Sequence, residues 1–492
     1  MQAQENVELK PGPEIHLGNE SLSSIFESGA SKYFFLKINN KGYLDFRDDH
    51  HPGIITFGKD LSREETIDLK PHNHYNLRRL IPQNMYQTSS GFIFLCRNYS
   101  RMDETLRAYL FRTDMQGNVS GPVLVPGEIG GMLPSQEDFH YFQLNEFIDG
   151  NEKRYIFSLT TPPELDIPER VNLVVFDENL EKVSEHLFSF PDDFIDYYFS
   201  KQIVSPEGQI FFRLEIFNPV FPDEIIHQLI IYDLIKDRQR TYEFKLEEGF
   251  VGSLKFQSMQ NNRVGLFGFF TLENDSESPD GILYYIFNGE DGSLISQNIR
   301  RLDEEIIEIF DPGSLKSSSG YQHLQPGAIH LNEQGHVLLL FEYNWRSILM
   351  VRDQRQQIYP TPMYNANEVI ILNFNPSGEL LNCGIIQKQQ SQGIAPEVSG
   401  FFSYCKNNRL YLFYNDHPKN TDRYASREIK IMKNRYEPVL AIYDPNEATY
   451  TKHRFQGRVA FNPDDLFTTG ENSLLILNFD EAYWLSEICF TE

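Results

Sequence analysis

Residues 439–450 read Val-Leu-Ala-Ile-Tyr-Asp-Pro-Asn-Glu-Ala-Thr-Tyr: a strand, a tight turn and a second strand. The pattern recurs at 172–185 (NLVVFDENLEKVSE), 228–241 (QLIIYDLIKDRQRT), 283–296 (LYYIFNGEDGSLIS) and 369–382 (VIILNFNPSGELLN). Earlier copies lie at 108–120 and 54–67. Each copy has one physical logic. Its first run is rich in β-branched and aromatic side chains, which fit a pleated, buried surface. Asp or Asn then opens a turn, because its short side chain can accept a bond from the backbone two residues on. Gly follows where φ must be positive, at Gly117, Gly292 and Gly378. The tetrapeptide Asn375-Pro376-Ser377-Gly378 matches a type I turn position by position. One such turn is a weak signal, but recurrence along a whole chain specifies a repeat.

The hairpins sit inside a longer unit of four runs, A to D. In the fourth unit these are 197–204, 209–217, 228–232 and 240–246. The B runs are the most apolar, at 92–96, 155–159, 210–214, 264–270, 337–341, 410–414 and 474–479. They are nearly continuous, as expected of strands covered on both faces. Eight units are read, at 19–70, 76–126, 139–191, 195–247, 252–302, 320–390, 398–456 and 458–492. The last lacks a D strand. Residues 6–11 (NVELKP) are similar to 66–71 (TIDLKP) at the D position of the first unit, so the N-terminal strand is expected to complete the last unit. A ring left open would expose two bare edges. Residues 34–46 could instead form a C–D hairpin, which would make the count seven or nine. Helical signals are nearly absent; the best is 303–309 (DEEIIEI).

Over almost the whole chain this pattern resembles the β-propeller repeat proteins as a class. Signatures of particular subfamilies are missing: no Trp-Asp dipeptide ends the C strands, and there is no Gly-Gly kelch pattern and no evenly spaced Asp box. The expectation is one all-β domain over 1–492, a β-propeller of eight four-stranded blades closed by the N-terminal strand, with seven blades as the alternative. The resemblance implies a fold and no activity.

Composition narrows the function classes. The chain has 492 residues, 40% hydrophobic and 14% aromatic, so it forms a core. A formal net charge of −26 argues against nucleic acid and against anionic membrane surfaces, both of which need a basic footprint. No apolar run approaches the length of a membrane-spanning helix, so no membrane insertion is expected. No signal-peptide core is seen, and residues 1–5 (MQAQE) resemble the trimmed start of an exported chain. Export to the periplasm or outside is therefore expected, with a cytoplasmic location as the alternative. Cys96, Cys383, Cys405 and Cys489 have no C-x-x-C spacing and read as buried thiols, with a Cys383–Cys405 bridge left open.

Connection lengths carry the functional reading. The A–B and C–D turns are short, whereas 127–138, 160–170, 303–319, 344–367 and 415–437 are long B–C or D–A segments. Long loops gathered on one face of a rigid scaffold are a usual place for binding. Basic and aromatic residues concentrate there although the chain is acidic. The candidate binding residues are Arg97, Asn98 and Tyr99; Asn344, Trp345 and Arg346; and Asn415, Asp416, His417, Arg423 and Tyr424. Arg offers a planar fork to carboxylates, and Tyr and Trp offer rigid rings with one polar end. The expectation is a non-catalytic binding or scaffold protein that holds a protein or glycan partner on this face. Two alternatives stand beside it: a glycan hydrolase or lyase using Asp416 and His417 as acid and base, and a structural component of an envelope assembly. His323, His330 and His417 could only loosely make a metal site, and no metal or other cofactor is expected. No G-x-S-x-G, phosphate-cradling glycine loop or H-E-x-x-H occurs.

Overall fold

A computed structural model describes residues 6–15, 20–28, 32–39, 44, 52–71, 80–100, 105–130, 142–161, 170–189, 197–217, 225–244, 246, 248–273, 279–302, 323–352, 358–392, 399–417, 420, 437–455, 466–468, 473–479 and 483–491. Every named element in them is a β-strand, and the strands form four- and five-stranded sheets, eight in all among the described residues. In chain order the sheets span 20–68, 81–130, 142–189, 197–243, 250–301, 324–386 and 402–454, and the eighth joins 466–491 to the N-terminal strand. Pairing within each is antiparallel. The exception is Lys70–Pro71, which runs parallel beside Asn118 and Val119 on the second sheet. This all-β architecture of small antiparallel sheets is consistent with a β-propeller.

The strands follow the polarity of their sequence. In the sixth sheet, Val337 to Tyr343 are buried at every position. The corresponding strand of the seventh sheet, Arg409–Asp416, is buried from Leu410 onward. Such strands are covered on both faces, and each fully buried Leu, Ile or Phe stabilises the fold by about 1.5–3 kcal/mol. The fourth strands alternate instead, as in Leu294–Arg301 and Thr449–Arg454, because one face is solvated. Seven clusters of buried apolar side chains knit each sheet to the next, from the first-to-second cluster around Phe34 and Phe92 to the seventh-to-eighth cluster of Tyr411, Phe413 and Ile488. Between the first and eighth sheets, the Tyr33 hydroxyl donates to Glu487 Oε1 at 3.3 Å.

The N-terminal strand Asn6–Ile15 pairs antiparallel with Tyr483–Thr491, from Asn6 opposite Thr491 to Ile15 opposite Tyr483. The similarity between 6–11 and 66–71 therefore reflects a shared fourth-strand position. Lys32–Asn39 pairs with both Glu20–Ser28 and Gly53–Gly58, so it is a second strand, and 34–46 is not a C–D hairpin.

The turns form as their residues require. Asn375 Oδ1 accepts the N–H groups of Ser377 and Glu379, Gly378 N–H donates to Asn375 O at 2.9 Å, and Gly378 has φ +84°. Close strand approach explains Gly268: a Cβ there would lie 1.9 Å from Ser253 O, beside the register shift between Val251 and Leu254. Cys96, Cys383 and Cys405 form no disulfide, so the Cys383–Cys405 bridge does not form; Cys96 and Cys405 are buried, whereas Cys383 is only partly buried.

One connection departs from expectation. Residues 344–352 and 358–367 are strand, not loop. The second strand of the sixth sheet continues as Val337–Arg352, and the third runs as Ile358–Phe374. They pair with each other from Phe374 to Ile358, far past the ends of the flanking strands Leu324–Leu331 and Leu380–Ile386. The result is a two-stranded arm. Asparagine, proline and arginine interrupt its apolar pattern, which is why the sequence reads as a loop.

Candidate functional site

The arm leaves the sheet at a bulge. Glu342 pairs with Val369 and Asn344 with Ala366, so Tyr343 stands against two residues, Asn367 and Glu368. A bulge bends the strand and re-aims its side chains. Here it gathers polar groups that are otherwise costly to bury. Glu342, Asn365, Asn367, Glu368, Lys388 and Gln390 are all buried.

Lys388 organises them. Its ammonium lies 2.6 Å from Glu342 Oε1 and also donates to Gln390 Oε1 at 3.0 Å and Ala366 O at 3.3 Å, using all three protons. Gln390 then donates to Asn415 O at 2.7 Å and accepts the Gly400 N–H at 2.8 Å. On the other side, the Asn344 amide donates to Glu342 Oε2 at 3.3 Å. A buried bridge, Glu342–Lys388–Gln390, therefore links two of the sequence-derived groups, 344–346 and 415–417. Burial raises the Glu368 carboxyl above its ordinary range, with Lys388 pulling it down.

A second branch surrounds Asp416, which is 1% exposed. Its Oδ1 accepts the His417 N–H and the Asn420 amide, both at 2.8 Å. Lys452 lies 3.8 Å from Oδ2 and donates to Gln387 O at 2.7 Å. Burial raises the Asp416 carboxyl and lowers the Lys452 ammonium, and the attraction between them offsets only part of either shift. Arg454 completes the branch, 3.0 Å from Glu437 Oε2 and 3.5 Å from His417 O. Asp416 is thus held as a closing group of a turn.

At the base of the arm the surface is aromatic and cationic. The His323 ring stacks on Trp345 with centroids 5.3 Å apart and planes 19° apart. The Arg346 guanidinium lies 5.3 Å from the centre of the Tyr364 ring. Asn365, from below, donates to Trp345 O at 3.3 Å and Ser347 Oγ at 3.0 Å. Trp345 is half-buried, and Asn344 and Arg346 are exposed.

Arg97, Asn98 and Tyr99 lie on Gly91–Ser100 in the second sheet, paired with Ala108, Arg107 and Leu106, and the bridge does not include them. Arg97 is buried and Tyr99 packs against the cluster around Leu106 and Leu159. Arg97 shares a register position with Glu342 and Asn415. Each is equally far beyond the strand residue (Phe92, Val337 or Leu410) that pairs just before the C–D turn. Arg423 and Tyr424 lie outside the described residues. The histidines are engaged separately: His330 with Ser403 Oγ at 2.8 Å, His323 with Trp345, and His417 through its backbone with Asp416 and Arg454. Among the described residues no three His, Cys, Asp or Glu side chains are grouped to hold a metal ion.

Sequence reasoning missed Glu342, Glu368, Lys388, Gln390 and Lys452. Glu342 carried a usable signal, a charge that ends a continuous apolar run (VLLLFE). Lys388, in a polar QKQQ stretch, carried none.

No family model matches this sequence, and no curated protein matches it. Among solved structures the chain is similar to the WD40 domain of SCAP from fission yeast, at 9% identity and TM-score 0.39 over 99% of this chain and 98% of that one. It is also similar to the β-propeller domain of the Trilobed protease from Pyrococcus furiosus, at 11% identity and TM-score 0.33 over 69% and 78%. A third similar structure is the polysaccharide lyase Uly1, at 10% identity and TM-score 0.36 over 95% and 90%. Likenesses this distant carry no argument about what the chain binds or catalyses.

Proposed function

We propose that this protein is a non-catalytic binding module: one closed propeller of eight blades that holds a protein or glycan partner on the face bearing the arm. Closure is supported by the N-terminal strand in the eighth sheet and by the Tyr33–Glu487 hydrogen bond between the first and last sheets. The observation that carries the binding role is the preorganised surface at the base of the arm. Trp345 is stacked on His323, Arg346 lies over Tyr364, and both sit on a ladder anchored by the buried Glu342–Lys388 pair. Rigid rings and a guanidinium held in place lose little entropy on contact, which is where binding free energy concentrates. Guanidinium and ring faces together suit a partner that presents carboxylates beside apolar or sugar faces.

The acid–base alternative at Asp416 and His417 has the geometry against it. Both hydrogen bonds to Asp416 Oδ1 are structural, and the carboxyl is closed off from any substrate.

The test is thermal unfolding of the chain across a panel of oligosaccharides and acidic peptides. A ligand at about 100 times its dissociation constant adds about 2.7 kcal/mol to the native state. The shift should disappear in Trp345→Ala/Arg346→Ala and persist in Asp416→Asn. A ligand-induced shift unchanged by the double substitution sinks the assignment of this surface.

A further inference from the structure

The second and third sheets enclose an open cleft of about 600 Å³ between them, a size typical of small-molecule sites. It lies among three short turns: those after Ile81–Gln87, Phe142–Asp149 and Arg170–Phe176. These are A–B and C–D turns, whereas the arm grows from the B–C end of the sixth sheet. The cleft is therefore no part of the surface at the base of the arm.

Bonds across the seam between the sheets brace its walls. Glu178 Oε2, in the third sheet, accepts the N–H of Ser89 in the second at 3.3 Å, and the Ser89 hydroxyl as well. Lys153 Nζ reaches back to Gln87 O at 3.3 Å. Inside the second sheet's turn, buried Thr88 accepts the Ser90 N–H on Oγ1 at 3.2 Å. Walls held in this way need little ordering when a ligand enters.

The lining decides the chemistry. All of its residues are polar or charged, so an apolar ligand has little to pack against. The charges are already matched. Lys153 lies 3.1 Å from Glu146 Oε2, and Arg154 pairs with Glu152. Glu178 is held by Ser89, and Asp177 Oδ1 accepts the N–H groups of Asn179 and Glu181, both at 2.8 Å. An anion would have to break both ion pairs and face the carboxylates of Glu152, Asp177 and Glu178. A cation would have to compete with Lys153 and Arg154 for carboxylates that are already bonded. What remains uncommitted is neutral or a lone donor. The carboxamides of Gln87, Asn151 and Asn179 make no hydrogen bond among the described residues. The Arg154 Nε–H is buried without an acceptor. A carboxamide sets N–H donors beside a carbonyl acceptor, and that pair matches two neighbouring hydroxyls, each of which donates and accepts.

We propose that this cleft binds a neutral saccharide through the carboxamides of Gln87, Asn151 and Asn179. The site does not rest on the binding role of the arm.

The experiment is calorimetric titration of the full chain with glucose, galactose, mannose, N-acetylglucosamine and their neutral disaccharides, with inorganic phosphate and spermidine as charged probes. At least one neutral sugar is expected to bind, and neither charged probe to compete with it. Asn151→Ala/Asn179→Ala removes two exposed turn amides. It should weaken that sugar about tenfold or more, through the loss of two or more neutral hydrogen bonds, with the thermal midpoint unchanged. Gln87→Ala, on the second-sheet side, is the second variant in case the double substitution disturbs a turn. Failure of every one of these sugars to bind overturns the proposal. So does a sugar whose affinity is unaltered in the folded variants. Competition by phosphate or spermidine overturns the neutral chemistry assigned to the cleft. Sugar binding that is lost in Trp345→Ala/Arg346→Ala and kept in Asn151→Ala/Asn179→Ala moves the sugar to the arm and overturns this site alone.

Discussion

Glu342 and Lys388 meet at 2.6 Å with both side chains shut off from water. Glu342 lies on the second strand of the sixth sheet and Lys388 on the short connection between Leu380–Ile386 and Gln390–Gln392, and together they brace the bulge from which the arm departs. Removing one partner strands a buried charge. Lys388→Met should therefore cost about 3–5 kcal/mol in urea unfolding. Adding Glu342→Gln should recover much of that loss, because the uncompensated charge is then gone. A double variant as unstable as the two single losses added together would show that the pair acts independently and that this account is wrong.

Two buried histidines set an acid limit. Burial lowers the His330 imidazole from 6.5 to about 4, and burial plus the Arg213 charge lowers His227 to about 4. The folded pKa lies below the unfolded one, so the unfolded chain gains the proton first. Stability is fully present above about pH 6.5 and declines as pH falls toward 4. Each histidine accounts for about 3 kcal/mol across that window. Denaturant midpoints measured from pH 7 to 4.5 should show this slope. His330→Gln, which can still meet Ser403, should flatten it; a slope unchanged in that variant places the proton uptake elsewhere.

Glycines separate tight packing from open turns. Gly268→Ala drives a Cβ to 1.9 Å from Ser253 O and should destabilise by about 3 kcal/mol or more. Gly150 has φ +64° but nothing within 4 Å of a built Cβ. Gly150→Asn should cost under about 1 kcal/mol, since Asn tolerates that conformation. Equal effects at the two sites in thermal unfolding would contradict the strand spacing described here.

Deleting residues 1–17 removes the strand paired with Tyr483–Thr491. Each lost backbone bond is worth about 1 kcal/mol, so the loss should be on the order of 5 kcal/mol. A peptide of residues 1–17 added in trans should restore part of it. Unaltered unfolding of the shortened chain would mean that the pairing contributes little.

Much of the fold was legible because strands and turns are local. The run VLAIYD fixes a buried strand and its turn, and 6–11 carries the same pattern as 66–71. The arm was not legible because Ile348 to Val351 is a short apolar stretch among residues that favour loops, and pairing with 358–364 decides its structure. Asn344, Trp345, Arg346, Asn415, Asp416 and His417 were legible as a cluster of chemistry. What joins them was not. The burial of Lys388 depends on what the bulge and the seventh sheet place around it, which no periodicity encodes. The charge of Asp416 suggested acid–base work, but only its neighbours Asn420 and His417 reveal a turn-closing role.

The pairing of Asn6–Ile15 with Tyr483–Thr491 orders events in time. On the ribosome the first of these segments emerges long before its mate. Until that mate is made the strand has no native place to go, and the seven sheets encoded between them can form before it docks. Docking of this strand is thus a contact of very long sequence separation, whose entropic cost grows with the length of chain it brings together. Until it happens, Tyr483–Thr491 offers its vacant side to any nascent neighbour, so crowded synthesis is when this chain is most exposed to exchanging strands.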